Sequence, residues 1–416
     1  MLPDRTTDAS PTLEEAPSPI PGVSRNVFRL GWVSLASDVA SEMAYPLIPL
    51  FLTTTLGAPV AVLGVIEGGA EGTASAMKVT SGWLSDRLGR RKPLVVAGYA
   101  LSLLGKALLA LAFAWPQAFL ARFVDRTGKG LRTSPRDALI ADGTASHVRG
   151  RAFGFHRAMD TVGAVVGPLV ALVMVGAAGL GPRPVLLLAL VPGLAGVVLL
   201  GTVADRPARP PSRETVPSAG FIEGPSRGYW AFVGIILLFS LGNSSDAFLL
   251  LRSRNLGLGV GEVIAAYALF NASYSLLSMP AGVLSDRVGR YRLLIGGLLV
   301  FAAVYLGFGL APDGRWLWPL FATYGVYMAA TEGVGRALAA DLAPELQRAT
   351  YLGVYHTGIG IATVLASVMA GLLWDHVGPE SPFLLGAGVS ILSAGLMVVL
   401  TLSGTAPRAT SMRGGS

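Results

Sequence analysis

The sequence predicts an all-α membrane protein with twelve transmembrane helices in two pseudo-symmetric six-helix bundles. The 416-residue chain is 52% hydrophobic and only 14% charged, with a mean hydropathy of +0.59, which lies outside the range of soluble globular domains. Apolar stretches long enough to cross hydrocarbon, about 20 residues each, recur along the whole chain. The segment Gly82–Arg90 also recurs as Gly282–Arg290, 200 residues later. Together these features indicate a duplicated bundle of membrane helices.

Each apolar stretch is bounded by a short polar or Gly/Pro-containing loop, so the spans follow one another closely. The first stretch lacks the short core and cleavage site of a removable signal peptide and is therefore predicted to be a true span. The predicted spans are residues 27–53, 60–85, 93–114, 117–141, 152–177, 183–203, 229–252, 262–285, 293–311, 316–340, 350–374 and 382–403.

Three polar segments divide the chain. Residues 1–26 are rich in Pro, Ser, Thr and Glu, and residues 404–416 are small and polar, so both are predicted to be disordered cytoplasmic tails. Residues 204–228 form a Pro-rich cytoplasmic linker between the N-terminal bundle, 27–203, and the C-terminal bundle, 229–403.

Lysine and arginine lie mainly in alternate loops. The loop after the second span carries Arg87, Arg90, Arg91 and Lys92, whereas the loop at 57–59 carries no basic residue. The positive-inside rule then places both termini in the cytoplasm. We expect a multi-pass protein of a bacterial cytoplasmic (inner) membrane.

The same composition argues against several classes of function. The net charge of +7 comes mostly from these loops, so we predict no nucleic-acid partner. The absence of cysteine excludes disulfides and thiolate metal sites. No nucleophile–base pair or phosphate-binding loop is present, so the sequence predicts no enzyme, no cofactor and no resident metal.

The repeated loop resembles the signature between the second and third helices of the major facilitator superfamily. Further repeats agree, with Ala138–Asp142 matching Ala337–Asp341 and His156 matching His356. The resemblance covers about residues 27–403 and implies that family's fold, a monomer, and a conformational latch on the cytoplasmic face. The latch residues would be Gly82, Asp86, Arg87, Gly89 and Arg90, with Asp286, Arg287, Gly289 and Arg290 in the second half.

The fifth span contains Gly163, Gly167 and Pro168. These residues resemble a motif of the superfamily's proton-coupled exporters, although Ala171 and Leu172 stand where that motif often has glycine. Small residues four positions apart also allow helices to pack closely, and the proline bends the helix. Both interpretations, exporter motif and ordinary packing, remain open.

Charged residues crowd the N-terminal half. Their spacing puts Arg122, Arg126, Lys129, Arg132 and Arg136 on one face of the fourth span. Each buried cation costs about 2.5–3.5 kcal/mol to insert, so these side chains require a wet cavity, paired carboxylates or both.

The acids and polar residues of the other spans supply candidate partners and ligands. Intramembrane ionisable residues suggest a substrate and proton site, but a structural ion-pair network would use the same residue types. The candidate substrate or proton-coupling residues are Asp38, Glu42, Glu67, Glu71, Asp125, Arg126, Lys129, Arg132, His156, Asp160, Asp246, Tyr267, Asn271, Tyr274 and His356.

Duplicated membrane halves predict a transporter that works by alternating access. The buried acids and the exporter-like motif favour a proton-coupled exporter of a small solute. Two alternatives remain. Some superfamily members with a similar fourth helix are associated with resistance to nickel or other divalent metals, which implies metal efflux. Arginines on the fourth span could instead grip an organic anion, which would suit an importer.

Overall fold

In the computed structural model, the chain is mostly helical in the part that the structure describes, which comprises Pro19 and residues 23–144, 149–204, 226–343 and 348–403. No strand occurs in these ranges. The predicted tail 404–416 and most of the predicted tail 1–26 and linker 204–228 lie outside them. Each of the twelve predicted spans corresponds to one helix or to a run of consecutive helical segments, which confirms the predicted fold class.

The N-terminal half contains six spans, named here in chain order. The first continues through short helical turns to Thr55, and the sixth is interrupted at Ala189. The helices are α1 Arg25–Ala44, α2 Val60–Leu88, α3 Lys92–Ala110, α4 Trp115–Asp142, α5 Arg149–Gly176, and α6 Pro182–Leu188 with Leu190–Leu200.

The C-terminal half also contains six spans, with differences in where they are interrupted. Its first span, predicted as a continuous helix over 229–252, is broken at residues 243–246. The helices are α7a Arg227–Gly242, α7b Ala247–Asn255, α8 Val260–Val288, α9 Arg290–Leu310, α10 Leu317–Leu342, α11 Arg348–His376 and α12 Ser381–Leu402.

Eight of the spans are long and apolar enough to cross a membrane by composition alone. The four that fall short are α1, α2, α4 and α10. The first three carry eight charged residues of the predicted site, and α10 carries Glu332 and Arg336. Because charged side chains at membrane depth require protein or water around them, these charges are expected to face the protein interior or a water-filled cavity.

Close packing within the N-terminal half depends on glycine. A Cβ atom at Gly105 would lie 2.4 Å from the backbone nitrogen of Asp125, and one at Gly128 would lie 2.5 Å from that of Ser102. These contacts seat α3 directly on α4 and bring Lys106 next to Asp125. The two halves then meet along α2 with α11 and along α5 with α8.

Candidate functional site

A cavity of about 870 Å³ lies between the two halves, a size that suits a small-molecule ligand. Helices α2 and α4 form its N-terminal wall, and α7, α10 and α11 form most of its C-terminal wall. Of the predicted site residues, five line it. They are Glu67, Glu71, Arg126, Asp246 and His356.

The halves are joined at the end of the molecule that carries the loop at 56–59. Here Ala61 N donates a hydrogen bond to Asp375 Oδ2 at 2.7 Å. A Cβ atom at Gly64 would lie 2.2 Å from the carbonyl oxygen of Ser367. An apolar cluster at this end includes Phe51 of the first half and Leu251 of the second.

At the opposite end the two apolar clusters are each confined to one half. One contains Val27 and Leu139 from the N-terminal half, and the other contains Tyr229 and Leu338 from the C-terminal half. The cavity is therefore closed at the 56–59 end and accessible from the end that carries the repeated basic loops.

Buried ion pairs on the N-terminal side link α2, α3 and α4. Arg122 Nη2 donates to Glu67 Oε1 at 2.7 Å and to Oε2 at 3.0 Å, and both side chains are only 4% exposed. Asp125 accepts from Lys106 Nζ at 3.0 Å and lies 3.4 Å from Arg122 Nη1. Two acids thus balance two bases. Asp125 belongs to this network and does not line the cavity, while Glu67 reaches the wall with its charge already paired.

Arg126 is held much less firmly than Arg122. Its Nη1 lies 4.0 Å from Glu71 Oε2, beyond hydrogen-bonding distance, and the Glu71 side chain is 43% exposed. The buried Arg126 Nε has no hydrogen-bond partner within the residues that the structure describes. Arg126 therefore faces the cavity with unused hydrogen-bonding capacity.

The remaining cations of α4 do not gather at the cavity. The Arg132 guanidinium lies over the Tyr99 ring at 4.2 Å, a cation–π contact inside the half. Arg136 pairs with Asp137 at 2.9 Å. Lys129 is exposed and does not line the cavity. These three cations, which the sequence places on one helical face, therefore lie in three different environments in the structure.

The break in α7 forms part of the opposite wall. Asp246 Oδ1 accepts a hydrogen bond from the Tyr324 hydroxyl at 2.7 Å, and Asn243 Nδ2 donates to the Tyr327 hydroxyl at 3.0 Å. Sequence reasoning missed both tyrosines and the break. The run Asn243-Ser-Ser-Asp246 is the signal that could have shown it, because these residue types compete with the backbone for helical hydrogen bonds.

Several predicted residues lie at the contact between the halves rather than in the cavity wall. The Tyr267 hydroxyl donates to Glu42 Oε2 at 2.8 Å across the interface. Tyr274 donates to Glu332 and accepts from Arg157 Nη2 at 3.4 Å. Asn271 Nδ2 donates to the carbonyl of Tyr267 within α8. These bonds connect α8 with α1, α5 and α10.

The glycines of the α5 motif pack against α1. A Cβ atom at Gly163 would lie 2.8 Å from Asp38 Cβ, and one at Gly167 would lie 2.7 Å from Glu42 Cβ. The motif therefore sets the spacing of α1 and α5 at the two acids of α1. Pro168 lies within α5, which continues to Gly176.

His156 and Asp160 also lie at the boundary between α1 and α5. Asp160 Oδ1 accepts from Ser34 Oγ at 2.5 Å, and His156 Nδ1 lies 3.6 Å from Asp160 Oδ2. Neither residue lines the cavity. His356, the repeat counterpart of His156, does line it and is exposed.

In this conformation, the described ion pairs of the latch loops form within each half. Arg91 Nε donates to Asp142 Oδ2 at 2.6 Å, and Arg290 pairs with Asp341. The sequence repeat aligns Arg90 with Arg290, but Arg91 forms the equivalent pair, while Arg90 is exposed. In its ion pair, Arg91 rather than Arg90 is therefore the counterpart of Arg290.

The other latch residues differ in their surroundings. Gly89 ends α2 with a φ of +63°, a left-handed conformation that favours glycine, and Gly289 has a φ of +100°. A Cβ atom at Gly82 would lie 3.4 Å from Ser134 Cβ. Arg87 and Arg287 are exposed. The side chains of Asp86 and Asp286 lie outside the described residues.

Comparison with known proteins gives consistent matches over nearly the whole chain. The sequence profile of the Major Facilitator Superfamily matches residues 30–251 and 230–414. An uncharacterised MFS-type transporter of Methanocaldococcus jannaschii is 34% identical over 91% of this chain and 95% of its own. The multidrug resistance protein MdtH of Photorhabdus laumondii is 25% identical over 80% of this chain and 82% of its own.

A solved structure shares the fold at low sequence identity. It is a bacterial homologue of the human lysosomal transporter Spinster in an inward-facing, unoccupied conformation. The match has a TM-score of 0.70 and 15% identity, and it covers 91% of this chain and 95% of the other.

Proposed function

Because the chain belongs to the Major Facilitator Superfamily and is a multi-pass membrane transporter, we propose that it is a proton-coupled exporter of a small solute. It works by alternating access, in which the two halves rock about a shared central site. The observation that carries this proposal is the central cavity, which lies between the halves and is accessible from one end only.

The orientation of this cavity follows from the charge of the loops. The accessible end carries the repeated basic loops with Arg87 and Arg287, and the positive-inside rule assigns that end to the cytoplasm. On this assignment the described state is the one that takes up solute from the cytoplasm, and both termini are cytoplasmic. The membrane would be the bacterial inner membrane.

Export and proton coupling have two supports. The relative MdtH is named as a multidrug resistance protein, and the Gly163–Pro168 segment resembles the motif of proton-coupled exporters. The cavity wall also contains Glu71 and Asp246, neither of which is held in a hydrogen-bonded ion pair among the described residues. Carboxylates of this kind can exchange a proton when the halves move.

The two alternatives receive unequal support. A divalent-metal exporter would use clustered ligands, and the described residues contain no group of three His, Cys, Asp or Glu that could hold an ion. An organic-anion importer is favoured by Arg126, which lines the cavity and whose ion pair with Glu71 is loose, at 4.0 Å.

A proton-flux assay tests the proposal. The purified protein in liposomes that contain a pH-sensitive dye is exposed in turn to organic cations, organic anions, amino acids and nickel. We expect one class to drive proton movement in the opposite direction to solute. The Asp246→Asn variant should abolish this proton movement, because an amide cannot carry the proton. Glu332→Gln is the matched control and should retain it, because Glu332 is a cavity acid that is already paired with Arg336 at 2.9 Å. A rate of solute flux that does not change when a pH gradient is imposed would refute proton coupling.

A further inference from the structure

Both walls of the cavity carry acids and bases: Glu67, Glu71, Asp137, Lys78 and Arg126 lie on the N-terminal wall, and Asp246, Glu332 and Arg336 lie on the C-terminal wall. On the N-terminal wall Arg126 is 9% exposed, with its Nε unpartnered among the described residues and its only ion pair loose at 4.0 Å. Lys78 lines the same wall. A buried guanidinium with free donors is an incomplete hydrogen-bonding group, and a carboxylate or phosphate oxygen completes it best. This wall therefore offers an anchor for an anion.

Asp246 supplies the opposite charge. It occupies the N-cap position of α7b, yet its side chain does not cap that helix. Instead the carboxylate turns to the Tyr324 hydroxyl in the cavity wall. Because an Asp at this position normally stabilises the helix by capping it, its use at the cavity indicates a different role.

The charged groups around Asp246 leave it without an ion-pair partner among the described residues. The acids that face it are Glu42 from α1, Glu67 from α2 and Glu332 from α10. Glu67 is paired with Arg122 and Glu332 with Arg336, while Glu42 accepts from Tyr267. The other titratable neighbours are hydroxyls, those of Tyr45, Tyr267, Tyr305, Tyr324 and Tyr327.

No basic side chain forms an ion pair with Asp246 in the part of the chain that the structure describes. Phe239, Tyr324 and Tyr327 line the same cavity. A carboxylate in a cavity that is also lined by aromatic residues suits an organic cation, for which it offers charge neutralisation and the rings offer cation–π contact.

From these opposed walls we propose that the transported solute is amphoteric, with its anionic group on Arg126 and its cationic nitrogen on Asp246. This inference rests on the proposed transport function and names its substrate class. It also gives a physical basis for exchange. A cationic nitrogen and a proton each neutralise Asp246, so the two compete for it, and the solute leaves when the proton binds.

Binding of simple probes tests the inference without any transport measurement. The probes are ω-amino acids of increasing chain length, with alkylamines and alkyl carboxylates of the same lengths as single-charge controls. A ligand that binds the folded state raises its melting temperature. A probe at roughly ten times its Kd should raise Tm by about 1–2 °C. We expect an ω-amino acid of one intermediate length to give the largest shift, exceeding that of either single-charge probe.

Two variants should distinguish the anion site at Arg126 from the cation site at Asp246. Asp246→Asn should remove the response to alkylamines and keep the response to carboxylates, and Arg126→Gln should do the reverse. A variant that had merely misfolded would lose both responses. Arg132→Gln is the matched control, because Arg132 is a buried cation of the same helix that packs on Tyr99 away from the cavity. It should keep both responses.

The inference is overturned if ω-amino acids stabilise the protein no more than the single-charge probes do. It is also overturned if Asp246→Asn leaves the amine response intact. A different result would refute the proposed function: in the liposome assay, no solute class would move protons. Proton movement driven by an organic cation that carries no acidic group would agree with the proposed exporter function but contradict an amphoteric substrate.

Discussion

The Glu67→Gln variant should lose about 3–5 kcal/mol of stability, because a buried ion pair that loses one partner leaves the other charge uncompensated. Glu67 accepts two hydrogen bonds from Arg122, and both side chains are 4% exposed. The balanced set of two acids and two bases would become net positive at membrane depth. We therefore assign Glu67 to the structure of the N-terminal half rather than to the transport cycle.

Thermal unfolding of the purified protein in detergent checks this expectation. The change should lower Tm by about 3–6 °C. Arg336→Ala is the matched control, since it also breaks an acid–base pair, but one with side chains 45% and 39% exposed. Exposed pairs contribute about 0–1 kcal/mol, so Tm should barely move. Equal losses in the two variants would show that burial of the Glu67–Arg122 pair is not what stabilises the protein.

The Gly64→Ala variant should shift the protein away from the described conformation. The added Cβ would lie 2.2 Å from the carbonyl oxygen of Ser367 on the facing helix α11. Backbone cannot yield as a flexible side chain can, and overpacking of this kind costs about 1–3 kcal/mol. Only the state in which the halves meet at this end bears that cost. The equilibrium constant that favours this state over the alternative conformation should fall by about 5–150-fold, and transport should fall with it.

Labelling of an introduced cysteine measures this shift, because the chain has no cysteine of its own. Thr133 lines the cavity, so Thr133→Cys should react with a maleimide added on the side of the basic loops. Gly64→Ala should slow this reaction. The control is Gly388→Ala, where a Cβ atom meets nothing within 4 Å, and the rate should be unchanged. An unchanged rate in Gly64→Ala would show that α2 and α11 do not need this close contact.

Residue patterns along the chain contain most of the information about the fold. A span of membrane requires a minimum run of apolar residues, so the twelve spans and their loops could be located without tertiary contacts. The break in α7 could not be predicted in this way, because residues 243–246 lie inside an apolar run that is long enough to span the membrane. Only their polar character distinguishes them, and a polar residue in a span can equally face a neighbouring helix.

In the repeated basic loop, too, the sequence pattern does not predict which residue forms an ion pair. The repeat predicts that Arg90 corresponds to Arg290, since both follow the glycine that ends a helix. In the structure Arg91 reaches Asp142 as Arg290 reaches Asp341. Gly89 and Gly289 differ in φ, at +63° and +100°, so the chain leaves the two turns in different directions and the register shifts by one.

The sequence by itself determined the class of protein, the number of spans, the duplicated halves and which helices carry charge. These properties depend on local composition and on repetition along the chain. Only the tertiary structure decided which charges meet. Arg122 and Arg126 lie one turn apart on α4, yet the first is locked to Glu67 while the second faces an open cavity with a free donor. The physical reason is that pairing depends on distances between helices of about an ångström, and these are fixed by the close packing of side chains that are far apart in sequence.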